Sequence, residues 1–207
     1  MCSKVVDKKE KREQILDAAV HEFAKKGFSR TTINDIAQAA GIGKGTIYEY
    51  FSNKEEIVQD TFRYFMRLME PNFEAILISK IPAKDKLKQL IDGLSQFINT
   101  DYHEVMELMF EFWSEGIKDK SSKGILFVEM IKFYHVYREI FADIIIEGMS
   151  DGSFRKNINP QSASSAIVGA LDGLMVQWIL EHEVMDFPDI LRTVTDTFLN
   201  GLCLEKK

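Results

Sequence analysis

Apolar side chains recur at intervals of three and four residues along most of the chain, which is the spacing of amphipathic helices. In the first such segment, from about Lys8 to Lys26, the apolar positions include Ile15 and Phe23, and Gly27 marks the end. No alternation of apolar and polar residues of useful length, which would indicate β-strands, accompanies this spacing. The pattern therefore predicts an all-α fold.

Two short helices are predicted next, with a glycine-containing turn between them. The second predicted helix follows Thr32, which can form a capping box with Asp35 three residues later. A Gly-Ile-Gly turn precedes the third predicted helix, from Lys44 to about Phe51. Three short helices with such a turn outline a helix-turn-helix, in which the third helix enters the DNA major groove. Other helical bundles share this outline, so the residue pattern has to distinguish between them.

Six further helices are predicted after residue 53. They run from Lys54 with an interruption at Pro71, from Lys84 to Asn99, from Tyr102 to Ile117, from Lys123 to Met149, from Pro160 to about Glu181 and from about Pro188 to Leu202. Asn159 before Pro160 is typical of a cap followed by proline at the first helical position. The sequence thus predicts about nine helices in two domains, residues 1–53 with the helix-turn-helix and a larger helical domain, residues 54–207.

Charge is distributed unevenly over the 207 residues. The net charge of −6 counts against a nucleic-acid partner when it is taken alone. Residues 1–56 carry 10 basic and 9 acidic side chains, however, whereas the remainder carries 16 and 23. Since phosphate attraction depends on where lysine and arginine point, the neutral N-terminal segment can still present a positive face.

Several functional classes are not expected. No apolar stretch of the ~20 residues that a membrane helix needs is evident, and the N-terminus lacks the apolar run of a secretory signal, so we expect a cytoplasmic protein without a membrane partner. Cys2 and Cys203 form neither a disulfide framework nor a zinc motif. No nucleophile with a base partner, phosphate loop or metal cluster is visible, so we expect no enzyme, no metal and no cofactor.

The residues of the predicted helix-turn-helix resemble a known family. In order, they are Gly27-Phe28, Thr31-Thr32, Asp35-Ile36-Ala37, Ala40-Gly41-Ile42 and Lys44-Gly45-Thr46-Ile47-Tyr48-Glu49-Tyr50-Phe51-Ser52-Asn53-Lys54-Glu55. Together they closely resemble the N-terminal domain of the TetR family of bacterial transcriptional repressors. Gly43 and Tyr50 depart from it, since many members carry Ser and His there. Gly also caps helices, so the fold is unaffected and the departures concern the base sequence that is read.

DNA contact is assigned to the exposed face of the third helix and to the starts of the second and fourth. Lys44 and Tyr48 lie one turn apart on one face, whereas Ile47 and Phe51 share the other and are expected in the core. Helix starts suit phosphates, and the resemblance gives matching positions these roles. The predicted DNA-binding residues are Thr31, Thr32, Lys44, Gly45, Thr46, Tyr48, Tyr50 and Lys54. Plain helix capping by the threonines and packing by the tyrosines are the alternatives.

The part of the chain after Phe51 is rich in aromatic residues and methionine, with 12 of the 15 Phe, both Trp and eight of the nine Met. Such side chains suit an adaptable apolar pocket, although ordinary core packing has the same composition. The resembling family encloses its inducer among the fourth to eighth helices. This implies a small lipophilic effector bounded by Phe65, Met66, Met69, Met106, Phe110, Trp113, Met130, Tyr134, Tyr137 and Trp178. Acyl chains, acyl thioesters, drugs and aromatic compounds all fit.

Four glutamates recur at three- or four-residue steps opposite the apolar stripe of Met106, Met109, Phe110, Trp113 and Ile117. They are Glu104, Glu107, Glu111 and Glu115. We interpret them as a solvated polar face and not as a cation site.

Small residues at four-residue steps in the predicted helix after Pro160 allow another helix to approach closely. As in the family, this helix and the last one are expected to pair with their symmetry mates, although packing within one chain is the alternative. The predicted interface residues are Ala166, Gly169, Ala170, Gly173, Val194 and Phe198. Two helix-turn-helix domains related by a two-fold axis would bind a palindromic operator.

The leading hypothesis is a homodimeric repressor of transcription that a small lipophilic effector releases from double-stranded DNA. The fourth helix is expected to transmit the effector signal, because it begins at Lys54 and continues to Met66. The alternative is a TetR-like DNA-binding protein that acts through a protein partner without a small-molecule effector.

Overall fold

The fold comes from a computed structural model, which describes residues 8–68, 73–95, 103–118, 124–181 and 183–203, without the side chains at 68, 103–107 and 125. Met69 and the side chain of Met106 therefore lie outside the described residues, as do the side chains of Glu104 and Glu107. The helices are α1 (Lys8–Lys26), α2 (Ile33–Ala39), α3 (Lys44–Tyr48), α4 (Lys54–Leu68), α5 (Phe73–Ile78), α6 (Ala83–Gly93), α7 (His103–Lys118), α8 (Ile125–Asp151), α9 (Pro160–Glu181) and α10 (Phe187–Leu202).

The all-α prediction is confirmed. Over the described ranges the chain forms ten helices and no strand, apart from one isolated antiparallel bridge between Phe154 and Cys203. The helix beyond the predicted nine is α5, which follows the segment around Pro71 where a single interrupted helix was expected. Pro71 itself lies outside the described residues.

The chain forms two compact units. The first contains α1 to α4, α7 and the start of α8, and the second contains α5, α6, the rest of α8, α9 and α10. Helix α1 packs against α2, α4 and α7. The three N-terminal helices α1 to α3, which we call the head, therefore share a unit with helices from the predicted C-terminal domain. The division at residues 53 and 54 stays a prediction.

Phe112 of α7 is completely buried and packs against other aromatic rings of the first unit. Its ring centroid is 4.7 Å from that of Phe28, which follows α1, and 4.9 Å from that of Phe62 on α4. Burying aromatic rings of this size is a large hydrophobic contribution to stability. The head is therefore joined to α4 and α7 by one aromatic cluster.

The buried face of α7 differs from the expected stripe. Of the expected stripe, Met109 is buried and Ile117 is exposed, whereas Leu108, Phe112 and Gly116 outside it are buried. At Gly116 an added Cβ would lie 2.3 Å from the Met130 sulfur, so the missing side chain allows α7 to approach α8 closely. The inward face is therefore shifted towards Phe112 and Gly116, because Phe112 packs against Phe28 and Phe62 and Gly116 allows α8 to approach.

The second unit buries a charge as well as apolar side chains. Lys86 of α6 has a side chain that is only 5% exposed, and its ammonium donates to the Glu147 carboxylate of α8 at 2.9 Å and to the Leu77 carbonyl at 3.0 Å. Trp178 of α9 packs against Phe187 at the start of α10, with ring centroids 5.9 Å apart. A buried ammonium needs such partners, because an unpaired charge in the interior is strongly unfavourable.

Helix α9 is long and apolar enough to cross a membrane by length and composition alone, with a mean hydropathy of 1.4. The sequence pattern alone does not single out this segment, in which Asp172 and several serines and glutamines stand among the apolar residues. Core helices of globular proteins meet the same criteria, so one helix of this kind is weak evidence for a membrane span.

Candidate nucleic-acid interface

The start of α2 has the predicted capping box. The Thr32 hydroxyl accepts a hydrogen bond from the Asp35 backbone N–H at 3.2 Å, and the Asp35 carboxylate accepts one from the Thr32 backbone N–H at 2.8 Å. The hydrogen bond from the Thr32 hydroxyl, followed by that from the Lys26 ammonium, holds the pKa of Asp35 well below its usual range. Two otherwise unpaired backbone donors are satisfied locally, which fixes the entry to the helix-turn-helix.

Helix α3 presents its polar side outward. It begins after Gly43, and Gly41 adopts a φ of +66° in the turn, a conformation that glycine adopts without strain. Lys44 and Tyr48 are exposed, with Tyr48 at 51%, whereas Ile47 is buried. Phe51 is also buried, so the predicted core pair of Ile47 and Phe51 is confirmed. The regular helix ends at Tyr48, before the predicted Phe51.

The other predicted DNA-binding residues differ in their access to solvent. Gly45 and Thr32 are exposed, and Thr46, Tyr50 and Lys54 are half-buried. The Lys54 ammonium donates to the Ser29 carbonyl at 3.4 Å, which places it beside the loop between α1 and α2. The exposed residues of α3 and Lys54 thus belong to the same unit as the capped start of α2.

Thr31 does not fit the predicted phosphate contact. It is only 1% exposed, and its hydroxyl donates inward to the carbonyl oxygens of Gly27 at 2.8 Å and Glu22 at 3.0 Å. Because the hydroxyl already donates within the fold, it cannot face a phosphate in this conformation. In this conformation the Thr31 hydroxyl stabilises the loop after α1.

Arg12 of α1 contacts the segment directly after α3, the predicted recognition helix, and no pattern in the sequence indicates this contact. Its guanidinium donates to the Tyr50 carbonyl and to the carboxylates of Asp60 and Glu56, and it lies 4.1 Å from the centre of the Phe51 ring. Desolvation lowers the pKa of Arg12, but the two carboxylates raise it overall. Its contacts are far away in the sequence, so helical periodicity gives no signal for them.

Glu111 of α7 corrects the interpretation of the glutamates as a wholly solvated face. Its carboxylate accepts a hydrogen bond from the Phe28 backbone N–H at 3.0 Å. Gly27 adopts a φ of +78°, and a Cβ there would lie 2.6 Å from a Glu111 oxygen. Glu115 is exposed. Glu111 therefore ties α7 to the loop that leads into the helix-turn-helix.

The predicted effector residues lie in several aromatic and methionine clusters. Phe65, Met66, Met130, Tyr137 and Trp178 are buried, and Phe110, Trp113 and Tyr134 are half-buried. The Phe110 and Trp113 ring centroids are 5.7 Å apart in the first unit. In the second unit, those of Phe133 and Tyr137 are 4.2 Å apart. The effector assignment of these residues stays a prediction.

Among the described residues, the first unit has a cleft of about 420 Å³ and a smaller one of about 160 Å³. Both are lined by Phe28, Ser29 and Glu115, and the larger one also by Lys54 and Phe127. Of the predicted effector residues whose side chains the structure describes, none lines either cleft. These clefts lie beside the DNA-binding head, so they do not correspond to the predicted effector site.

Two family models match the chain. Residues 15–61 match the model of bacterial regulatory proteins of the tetR family, and residues 83–204 match that of the C-terminal domain of BetI-type transcriptional repressors. The second match alone spans more than half of the chain. The chain belongs to the TetR family of bacterial transcriptional regulators.

Relatives within the TetR family include named regulators. The fatty acid metabolism regulator protein of Bacillus subtilis (strain 168) is 26% identical over 195 residues, which are 94% of this chain and 97% of that protein. The HTH-type transcriptional repressor KstR2 of Rhodococcus jostii (strain RHA1) is 28% identical over 153 residues, 74% of this chain and 72% of KstR2. The crystal structure of the transcriptional regulator FadR from Bacillus subtilis in complex with stearoyl-CoA has a TM-score of 0.75 and 26% identity, and covers 91% of this chain and 98% of FadR.

The predicted TetR-type dimer residues lie on α9 and α10. Ala166 and Gly169 are exposed, and Ala170, Gly173, Val194 and Phe198 are half-buried. A Cβ added at Gly169 or at Gly173 would meet nothing within 4 Å. The small-residue seam of α9 is therefore open along these positions in the single chain.

Proposed function

We propose that this TetR-family protein is a homodimeric, sequence-specific repressor in the cytoplasm, which a long-chain acyl-CoA releases from a palindromic operator. The observation that carries the proposal is the likeness along almost the whole chain to FadR, whose crystal structure contains stearoyl-CoA. The relatives are named as regulators, which supports a role without catalysis. An acyl thioester is also among the effectors that suit the aromatic and methionine-rich composition.

DNA binding is assigned to the outward side of α3 and its neighbours. Lys44 is exposed and supplies an ammonium for a phosphate or a guanine edge, and the exposed Tyr48 supplies a hydroxyl and a ring. Thr32, Gly45, Thr46, Tyr50 and Lys54 complete the proposed surface, from which we leave out the buried Thr31. In a two-fold dimer, the paired surfaces would contact successive major grooves.

Release requires that the acyl-CoA binds the DNA-free conformation more tightly than the DNA-bound one. A coupling of about 1–3 kcal/mol, typical of allosteric proteins, lowers operator affinity by roughly 5- to 150-fold at saturation. The proposed acyl-chain residues are the described members of the predicted set, beginning with Phe65 and Met66 on α4. Since α4 also carries Lys54, it belongs to both proposed sites.

The first experiment is to capture fragmented genomic DNA on the purified protein and sequence what is retained. A few palindromic sites beside promoters are expected. Fluorescence anisotropy with one such site then measures affinity, and stearoyl-CoA is expected to lower it while CoA alone does not. Affinity that is unchanged at saturating stearoyl-CoA would contradict the acyl-CoA proposal.

Two variants test the DNA surface on the same operator fragment. Lys44→Ala and Tyr48→Ala are each expected to weaken binding by roughly 5- to 150-fold, the cost of about 1–3 kcal/mol for a lost base or phosphate contact. Lys88→Ala is the control, because Lys88 is an exposed lysine on α6 in the other unit. Equal losses in all three variants would contradict the assignment to α3.

A further inference from the structure

A buried carboxylate on α8 is joined to α4. Glu129 is 8% exposed and accepts two hydrogen bonds from the Arg63 guanidinium, at 2.9 Å from Nε and 2.8 Å from Nη2. The Gln59 side-chain amide donates to the same carboxylate at 3.2 Å. A fork of two parallel hydrogen bonds fixes direction as well as distance, so α4 is held in one position relative to the start of α8.

The ion pairs continue from Arg63 to the recognition helix. The third Arg63 nitrogen, Nη1, donates to the Asp60 carboxylate at 3.1 Å, and Asp60 also accepts from Arg12 of α1. Arg12 in turn donates to the Tyr50 carbonyl, directly after α3. Glu129, Arg63, Asp60 and Arg12 thus form an unbroken series, which we call the ion-pair series, from α8 to the end of α3.

The buried end of the series cannot lose its partner without a large penalty. A carboxylate removed from water requires a compensating charge, and breaking a buried pair by removing one partner is strongly unfavourable. The Glu129 carboxylate, which accepts the hydrogen bonds, raises the pKa of Arg63. If α8 shifts, Arg63 and with it α4 therefore follow. Helix α8 continues to Asp151 and carries Tyr134 and Tyr137, two of the predicted effector residues.

We propose that Glu129 and Arg63 are positioning residues for operator binding, which transmit a displacement of α8 through Asp60 and Arg12 to the end of the recognition helix. Neither residue is among the proposed DNA or effector contacts. The proposal rests on the proposed function, since it deepens how the effector signal reaches DNA. It differs from a purely structural role because it requires Arg12 and Glu129 to act together although they do not touch.

The first test is a double-mutant cycle on operator affinity without effector. Glu129→Gln keeps the shape of the side chain and removes its charge. Arg12→Lys keeps the charge and removes the planar guanidinium that donates through two nitrogens. Each variant is expected to weaken operator binding about tenfold, and the double variant about as much as the weaker-binding single variant, because residues in one network do not add. Independent, multiplying losses would overturn the proposal. If Glu129→Gln does not fold by circular dichroism, Arg63→Lys replaces it in the cycle.

A matched control separates positioning from lost stability. Glu147→Gln removes the carboxylate that partners the buried Lys86, in the other unit and outside the ion-pair series. It is expected to lower the melting temperature as Glu129→Gln does and to leave operator affinity unchanged within about twofold. An equal loss of affinity in the two variants would show that reduced stability explains the effect, and would overturn the proposal.

The second test measures the response to stearoyl-CoA. In the wild type, saturating stearoyl-CoA is expected to weaken operator binding, whereas in Glu129→Gln the ratio of affinities without and with it is expected to fall towards one. If stearoyl-CoA does not change the operator affinity of the wild type, only the acyl-CoA part of the proposed function is contradicted. The double-mutant cycle without effector then still tests the ion-pair series. A wild type that responds and a variant with the full response would overturn the positioning role.

Discussion

Asp172 lies part-way along α9, where burial raises the pKa of its carboxyl to about 6 although the Tyr134 hydroxyl donates to it. The unfolded carboxyl ionises near its ordinary value of 3.8, so the folded state holds the proton to a higher pH. Above pH 6 the folded state therefore bears the cost of a partly buried charge. Below pH 3.8 the carboxyl is protonated in both states and this cost disappears.

Asp172→Asn is accordingly expected to raise the free energy of unfolding more at high pH than at low pH. The gain at pH 7.5 should exceed that at pH 4.5 by about 1–2 kcal/mol, after allowance for partial exposure. Urea denaturation of both proteins at the two pH values measures it. An equal change in the free energy of unfolding at both pH values would show that the Asp172 charge does not destabilise the folded state.

Gly27 combines two constraints, a positive φ of +78° and the Glu111 carboxylate against it. Gly27→Ala is expected to cost about 2–3 kcal/mol, from the left-handed conformation and from displacement of the Phe28 hydrogen bond to Glu111. Gly41→Ala is the matched control, because Gly41 has a φ of +66° and nothing within 4 Å of an added Cβ. Thermal unfolding of both variants should show the larger loss for Gly27→Ala, and equal losses would mean that the Glu111 contact contributes little.

Among the helices, α7 shows how one element is placed by its neighbours. Its apolar residues cover more than one stripe, and the largest side chains favoured the face with Phe110 and Trp113. In the fold the face with Phe112 and Gly116 is inward, because Phe112 meets Phe28 and Phe62 and the glycine allows α8 to approach. Helical periodicity gives the element, and the shapes of the facing helices determine its rotation.

Helix α9 is part of the proposed contact surface for a second copy of the chain. Gly169 is exposed with open space at its Cβ position. Gly169→Leu is expected to leave the single chain folded and to shift the dimer towards monomer at least tenfold, since a large side chain prevents close helix approach. Gly93→Leu at the end of α6 is the control, because its Cβ position is equally open. Sedimentation velocity gives the result, and an unchanged dimer would contradict the α9 interface.

For the whole molecule, the net charge of −6 is compatible with positive side chains at the proposed DNA surface. Affinity for the operator is expected to fall steeply with salt, because lysine contacts release counterions from the phosphates. Lys54→Gln should reduce the slope of log affinity against log salt by about 2 for a dimer, one phosphate per protomer. Anisotropy titrations over a range of potassium chloride concentrations measure the slope. A slope equal to that of wild type would remove Lys54 from the phosphate contacts.

The sequence by itself determined the features that depend on neighbours within about one helical turn. The capping box of Thr32 and Asp35, the end of α1 at Gly27 and the start of α9 at Pro160 are present as predicted. Each rests on local hydrogen bonds or on backbone conformation. The run of motifs from Gly27 to Glu55 was likewise sufficient to indicate the TetR family.

Only the tertiary structure decided which polar side chains face inward and what they join. The Thr31 hydroxyl donates a hydrogen bond to the Gly27 carbonyl within the fold. Arg12 pairs with Asp60, 48 residues later in the sequence, and Arg63 pairs with Glu129, 66 residues later. These contacts arise when packing of the apolar faces brings distant segments together, and burial then requires each charge to find a partner. Periodicity identifies the helices that carry such residues, but the partners are set by the three-dimensional arrangement of those helices.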